Sequence, residues 1–153
     1  MPPQEFMDEI VLPSVVELKD NRRSRLRAYV ASIVTFHLKD HLHKAGCRKI
    51  EDAMRAECGD AFDVVRGICN GTKHVQADTS HPVPFAAGDD WDRPPASAGQ
   101  LLCGISRAGD AYGGREIGSG TQSRDIYFAV RTVLRAYCKL HPTHLGATDL
   151  SGV

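Results

Sequence analysis

Residues 14–45 read SVVELKDNRRSRLRAYVASIVTFHLKDHLHKA and carry the most extended helical pattern in the chain. A stripe of mostly apolar side chains recurs every three or four residues, which is the period of an α-helix; it comprises Leu26, Tyr29, Val30, Ile33, Val34, His37 and His41. Ser14 and Glu17 have capping-box spacing, and Gly46 is typical of the position just past a helix C-terminus. The pattern predicts one long helix over 14–45, after a short leading segment over 1–12.

Two more helices are predicted directly after it. The first covers 48–58, and Gly59 ends it. Asp60 is suited to cap the next helix, whose sequence AFDVVRGICNGTKH spans 61–74. The 14–74 stretch therefore contains three helical segments with apolar faces, as in a helical bundle.

A fourth helix is predicted over 123–141, opening at Ser123 with Asp125 in its first turn, where a carboxylate suits the helix dipole. Before it, residues 76–122 hold most of the prolines and glycines. Within them, QLLCGIS (100–106) and YGGREI (112–117) flank a glycine-containing turn, which predicts a hairpin. The predicted fold is mainly all-α: a four-helix bundle with a small β-hairpin insertion between helices three and four.

Composition indicates a single globular domain over 1–153. The chain is 42% hydrophobic and 25% charged, and its formal net charge is zero, which argues against a surface that is basic throughout. No apolar run approaches the roughly 20 residues that span a bilayer, and the acidic start MPPQEFMDEIV does not resemble a signal peptide. We therefore expect a cytoplasmic protein with no membrane partner and no cofactor.

The histidines and cysteines were considered as metal ligands. His37 and His41 share a helix face, but Asp40 is one position off that face, so core or interface packing is the favoured interpretation and metal binding the alternative. The five cysteines have no CxxC spacing, which argues against zinc knuckles and redox pairs. The sequence predicts no metal site and no disulfide.

The third helix carries a polar stripe. Arg66, Asn70 and His74 stand four residues apart, with Lys73 on the same side. Gly67 and Gly71 lie beside the stripe; because glycine costs about 1 kcal/mol against alanine in a helix, we expect another backbone or a ligand to approach there. Alternatively, Asn70-Gly71 ends the helix at Cys69, and the residues after it belong to a loop.

The phrase VRGICNGTKH resembles a segment of bacterial and phage proteins of unknown function that are similar to the HEPN superfamily of helical bundles. HEPN ribonucleases carry an arginine followed by a histidine after four to six residues, at a dimer interface; here seven residues separate Arg66 from His74. The resemblance implies a homodimer that binds or cleaves RNA without metal, in a defence or toxin system. It implies Arg66 and His74 as catalytic residues and Asn70 and Lys73 as substrate-binding residues.

A second hypothesis makes the chain a non-catalytic interaction or structural module, in which buried Asn70 and His74 lock helices together. Between the two hypotheses, we expect Asn70 to be buried as part of the lock, and Arg66 and Lys73 to be exposed with a functional role. Two charged segments are further candidate functional sites. The basic run with Lys19, Arg22, Arg23, Arg25 and Arg27 is interpreted as a solvated helix face or an RNA contact, and the acidic stretch 89–92 as an exposed loop anchored by Trp91.

Overall fold

The computed structural model describes residues 1–73, 85–96, 105, 109–119 and 122–153, and the side chain of Lys73 is not among the described features. The described part of the chain is mainly helical, with a small three-stranded antiparallel sheet. No helix within it combines the length and apolar character needed to cross a bilayer.

The N-terminal helical region begins earlier and breaks earlier than the sequence predicts. Helix α1 (Pro3–Phe6), a π-helical turn (Met7–Val11) and helix α2 (Leu12–Asp20) follow one another without a break, so the leading segment is mostly helical. The predicted single helix over 14–45 is wrong: α2 ends at Asp20, and helix α3 spans Arg25–Lys44. Polar residues cause the break, because the Asn21 side chain donates to the Glu17 carbonyl and Ser24 caps α3 by accepting from the Arg27 amide.

Helix α4 (Ile50–Lys73) contains the second and third predicted helices, with a kink between them. Gly59 has φ 44° and ψ −118°, so it breaks the helical path at the predicted point. The helical path continues through Asn70-Gly71 to Lys73, so the alternative in which the helix ends at Cys69 is wrong.

Helix α5 (Ile126–Leu140) begins slightly later than predicted, because Asp125 is its N-cap rather than a first-turn residue. A short helix α6 (Pro142–Leu145) follows. Helix α4 packs against α3 and α5, and the apolar faces of these helices form the core, which includes Phe36, Leu38, Leu42, Phe62, Val65, Ile68, Val130, Val133, Leu134 and Tyr137.

The sheet consists of β1 (Asp90–Arg93), β2 (Gly114–Ile117) and β3 (Arg124–Asp125), in the order β1-β2-β3. The central strand β2 lies in the YGGREI segment, as predicted. Its described partners are β1, where Trp91 faces Glu116, and β3, where Asp125 faces Glu116. The other predicted hairpin strand, 100–106, lies outside the described residues apart from Ile105. The interpretation of 89–92 as an exposed loop is wrong, because three of its residues belong to β1.

Candidate functional site

Arg66, the first residue of the predicted stripe, is largely buried rather than exposed. Its side chain is 11% exposed, and its Nε lies 3.6 Å from the Asp63 carboxylate. Arg55 approaches the same carboxylate at 3.6 Å from the other side. Arg66 Nε and one Asp63 oxygen are buried without a hydrogen bond. The guanidinium therefore faces an acidic neighbour, which suits an ion pair within the helix better than a contact with RNA.

The rest of the stripe is described only in part. Asn70 is half-buried, and its side chain forms no hydrogen bond with any residue of the described ranges, so these ranges do not supply the partner that the lock hypothesis requires. Lys73 ends α4. His74 lies outside the described residues. The described residues therefore do not test whether the four predicted site residues come together, and their roles stay predictions.

The two glycines of the stripe allow another segment to approach the helix. A Cβ atom at Gly67 would lie 1.9 Å from the Phe85 carbonyl oxygen, and one at Gly71 would lie 2.5 Å from the Ala87 Cβ. The expectation that a backbone approaches these glycines is confirmed. The contact fixes the 85–87 segment, and through it the start of β1, on α4.

His37 packs at the α3–α4 contact. Its Nδ1 lies 2.8 Å from the Asp40 carboxylate, and its Nε2 lies 3.8 Å from the sulfur of buried Cys69. His41 stacks on Phe6, with 3.9 Å between ring centroids. The two histidines thus have different partners, in agreement with packing roles. Within the described ranges, no three His, Cys, Asp or Glu side chains are grouped to hold a metal ion.

The basic run and the acidic segment, considered separately in the sequence, contact each other. Arg23 donates two hydrogen bonds to the Asp92 carboxylate, at 2.8 and 2.5 Å. Asp90 is fully buried; it accepts from the Tyr29 hydroxyl at 2.6 Å and pairs with Arg25 at 3.1 Å. These bonds hold β1 against the start of α3. Arg23 and Arg25 are thus engaged within the molecule.

The contacts that hold β1 against the start of α3 lower the pKa values of Asp90 and Asp92. Burial alone would raise the pKa of Asp90, but hydrogen bonds from Tyr29 and Arg115 hold it below its usual value. The hydrogen bond from Arg23 lowers the pKa of Asp92. Both carboxylates are therefore ionised at neutral pH, so the ion pairs between β1 and the start of α3 are formed there.

Arg22, unlike Arg23 and Arg25, lines a groove that we call the α2–α5 groove. It has a volume of about 540 Å³ and is lined by Lys19, Asp20, Arg22, Tyr112, Tyr127, Phe128, Arg131, Ser151 and Val153. A second hollow of about 380 Å³ shares Arg22, Tyr112 and Phe128 with it and extends to Arg93 and Asp110. A continuous concave surface therefore runs from α2 past the start of α5 to the β-sheet.

The groove combines cations with exposed aromatic rings. Tyr112 is 72% exposed and Phe128 is 46% exposed. The Arg22 guanidinium carbon lies 4.4 Å from the Tyr127 ring centroid and 4.5 Å from that of Phe128. No carboxylate of the described residues pairs with Arg22, and its Nε is buried without a hydrogen bond.

The other two cations of the groove bind main-chain oxygens at one end. Lys19 Nζ donates to the Gly152 carbonyl at 2.7 Å, and Arg131 Nε donates to a Val153 oxygen at 3.1 Å. Each keeps further N–H donors, since a lysine has three and an arginine five. The groove is thus lined by three basic side chains, three aromatic rings and the acidic side chain of Asp20.

Comparison of the chain with models of protein families finds no match, and searches of curated proteins and of solved structures also find none. The HEPN-like resemblance stays a prediction.

Sequence reasoning identified Lys19 and Arg22 as parts of a basic run but missed the groove. Tyr112, Phe128 and Arg131 are distant from that run in sequence. The packing of α2 against α5 brings Phe128 and Arg131 near it, and the turn before β2 brings Tyr112. One signal was available: Phe128 lies off the apolar stripe of the fourth predicted helix, which predicts an exposed ring.

Proposed function

We propose that this chain is an RNA-binding domain that holds single-stranded RNA in the α2–α5 groove. The observation that carries the proposal is the Arg22 guanidinium, which has no carboxylate partner among the described residues and lies over the rings of buried Tyr127 and partly exposed Phe128. Exposed Tyr112 and the cations Lys19 and Arg131 line the same groove. Proteins that bind single strands combine a positive groove for the phosphates with aromatic faces on which bases stack. A volume of about 540 Å³ is in the usual range for pockets that hold small ligands.

The net charge of zero agrees with this arrangement, because most of the basic run is neutralised within the molecule. Arg23, Arg25 and Arg27 pair with Asp92, Asp90 and Glu17. The two remaining cations of the run, Lys19 and Arg22, line the same groove, so RNA would contact one small region rather than coat the surface.

Binding is tested by fluorescence anisotropy with a labelled uridine decamer at a series of salt concentrations. We expect wild-type protein to bind with an affinity that falls as salt rises, because phosphate contacts release counterions. Arg131→Gln should weaken binding roughly tenfold, the weight of one charged hydrogen bond, and reduce the salt slope by about 0.7. Tyr112→Ala should weaken binding by roughly 1–3 kcal/mol with the slope unchanged.

The matched control is Arg135→Gln, which makes the same substitution at an exposed position of the same helix that does not line the groove. Its affinity should equal that of wild type. Equal weakening by Arg131→Gln and Arg135→Gln, or no salt-dependent binding by wild type, would contradict the proposal.

Cleavage is the catalytic form of the same proposal, with Arg66 and His74 as its candidates. The burial of Arg66 beside Asp63 favours a structural role for that arginine, so we propose binding as the primary activity. Incubation of labelled RNA with wild-type, Arg66→Ala and His74→Ala proteins tests cleavage separately. Metal-independent cleavage lost in both variants, with binding retained, would establish the catalytic form.

Self-association is a second candidate function, and a specific observation favours it. Helix α3 exposes Leu26 (71%) and Val30 (41%), four residues apart on one face, with Ile33 and Val34 half-buried beyond them. Such an apolar stripe suits an isologous contact with a second copy, as the homodimer hypothesis requires. Sedimentation at tens of micromolar tests it.

A further inference from the structure

We infer that Arg93 is a positioning residue that holds both exposed aromatic side chains of the α2–α5 groove in place; as a statement about RNA binding, this rests on the proposed function. Arg93 is 1% exposed and lies at the end of β1. Its Nε donates to Glu116 at 2.7 Å and its Nη2 to Asp125 at 2.9 Å, and its Nη1 binds Asp110. One guanidinium thus joins all three strands and the turn before β2.

Two of these carboxylates also bind the backbone that carries an aromatic residue. The second oxygen of Asp110 accepts from the amides of Tyr112 and Gly113, each at 3.1 Å. The second oxygen of Asp125 accepts from the Phe128 amide at 3.3 Å, as the N-cap of α5. Each carboxylate therefore binds Arg93 through one oxygen and the backbone of an aromatic-bearing segment through the other.

The backbone around Arg93 leaves room for this network. A Cβ at Gly114 would lie 2.3 Å from the Asp125 carboxylate and 3.0 Å from Arg93 Nη2. Gly113 has φ 70° and would bring a Cβ to 2.4 Å from the Arg93 carbonyl oxygen. Gly114 thus leaves space for the Arg93–Asp125 ion pair, and Gly113 allows the turn before β2 to approach the backbone at the end of β1.

The Arg93 network also borders the groove. Arg93 and Asp110 line the hollow that Arg22, Tyr112 and Phe128 share with the larger groove. A buried ion network is a poor source of net stability, since desolvation offsets much of its attraction, whereas it fixes geometry well. Its carboxylates bind the backbone at Tyr112 and Phe128, so the geometry that it fixes is that of the segments carrying the two rings on which a base would stack.

The test variant is Asp110→Asn, which keeps an oxygen for the Tyr112 and Gly113 amides and loses the charge that pairs with Arg93. The Asp110 side chain is 16% exposed, and Arg93 keeps Glu116 and Asp125 as partners, so the substitution leaves no buried charge unpaired. Two probes are compared by anisotropy competition: a uridine decamer, which offers bases and phosphates, and inorganic polyphosphate of similar length, which offers charge alone.

We expect Asp110→Asn to weaken decamer binding roughly 5- to 100-fold, the weight of one stacked base, with the salt slope and the polyphosphate affinity unchanged. Equal losses for both probes indicate a general structural defect and overturn the inference, as does an unchanged decamer affinity.

Amide hydrogen exchange separates this inference from the proposed function. In Asp110→Asn the Tyr112 and Gly113 amides should exchange faster than in wild type, whereas the Phe128 amide, whose partner Asp125 is intact, should keep its rate. If wild type binds no RNA, the proposed function fails, and the exchange rates alone decide the positioning role: unchanged rates at Tyr112 and Gly113 overturn it.

Discussion

Replacement of Gly67 by alanine should destabilise the protein, although the same change in an exposed helix stabilises it. Alanine is about 1 kcal/mol better than glycine in a helix interior. Here the added Cβ would lie 1.9 Å from the Phe85 carbonyl oxygen. Ordinary carbon contacts begin near 3.5 Å, so α4 and the 85–87 segment would have to separate by roughly 1.5 Å.

The magnitude follows from two opposing contributions. Overpacking of a tight contact costs about 1–3 kcal/mol, and the clash with a backbone atom places Gly67→Ala at the upper end of that range. Subtraction of the propensity gain of about 1 kcal/mol leaves a net loss of about 2 kcal/mol. In a domain of this size, such a loss lowers the melting temperature by roughly 4–8 °C.

Thermal and urea unfolding followed by circular dichroism measure the effect. The control is Ala56→Gly, at an exposed position in the first half of α4, which should cost about 1 kcal/mol through propensity alone. Because the clash is with a carbonyl oxygen, Gly67→Ala should stay destabilising in a Phe85→Leu background. A melting temperature of Gly67→Ala above that of wild type would refute the close contact between α4 and residue 85.

Three further outcomes follow from the described residues. The lowered pKa of Asp92 means that its pair with Arg23 stabilises the fold at neutral pH; in urea unfolding, Asp92→Asn should cost at most about 0.5 kcal/mol at pH 7, since the pair is exposed, and this difference should vanish as pH falls below about 4. Burial, aided by Glu57, raises the pKa of Cys58 from 9.0 to about 11, so the folded state keeps this proton longer than the unfolded state and stability should fall from pH 9 to 11; Cys58→Ala should show a shallower fall, and an identical fall counts against the assignment. If copies associate through the α3 stripe, Leu26→Glu should shift the sedimentation equilibrium toward monomer, and a wild-type monomer at tens of micromolar speaks against the dimer.

Local signals predicted most of the helical part of the fold. Gly59 separated two helices where expected, because a positive φ is accessible to glycine at little cost. The tight contact at Gly67 was anticipated for a similar reason, since two glycines in a helix interior require a compensating neighbour. By contrast, periodicity alone joined α2 to α3, because the apolar pattern continues across Asn21 and Ser24 while their side chains form local hydrogen bonds that end one helix and cap the next.

The candidate site was harder to predict, because its residues meet only after folding. Arg22 and Phe128 are far apart in sequence, and no short motif joins them. The role of Arg93 was the hardest to predict, because an arginine in a strand is usually exposed. The burial of Arg93 depends on carboxylates from other strands and from the turn before β2. The polar stripe with Arg66 was predicted as a site from helical spacing alone. Spacing does not reveal that the Asp63 carboxylate lies 3.6 Å from the Arg66 guanidinium.

The measurement that tests the groove most directly is an NMR titration of the ¹⁵N-labelled protein with a short uridine oligonucleotide, following backbone amides and the Arg22 Nε–H signal. RNA in the α2–α5 groove predicts saturable shifts at Arg22, Tyr112, Phe128 and Arg131, with Arg66 and Asn70 unchanged. Shifts confined to the α4 stripe, or no shifts at low salt, would contradict it.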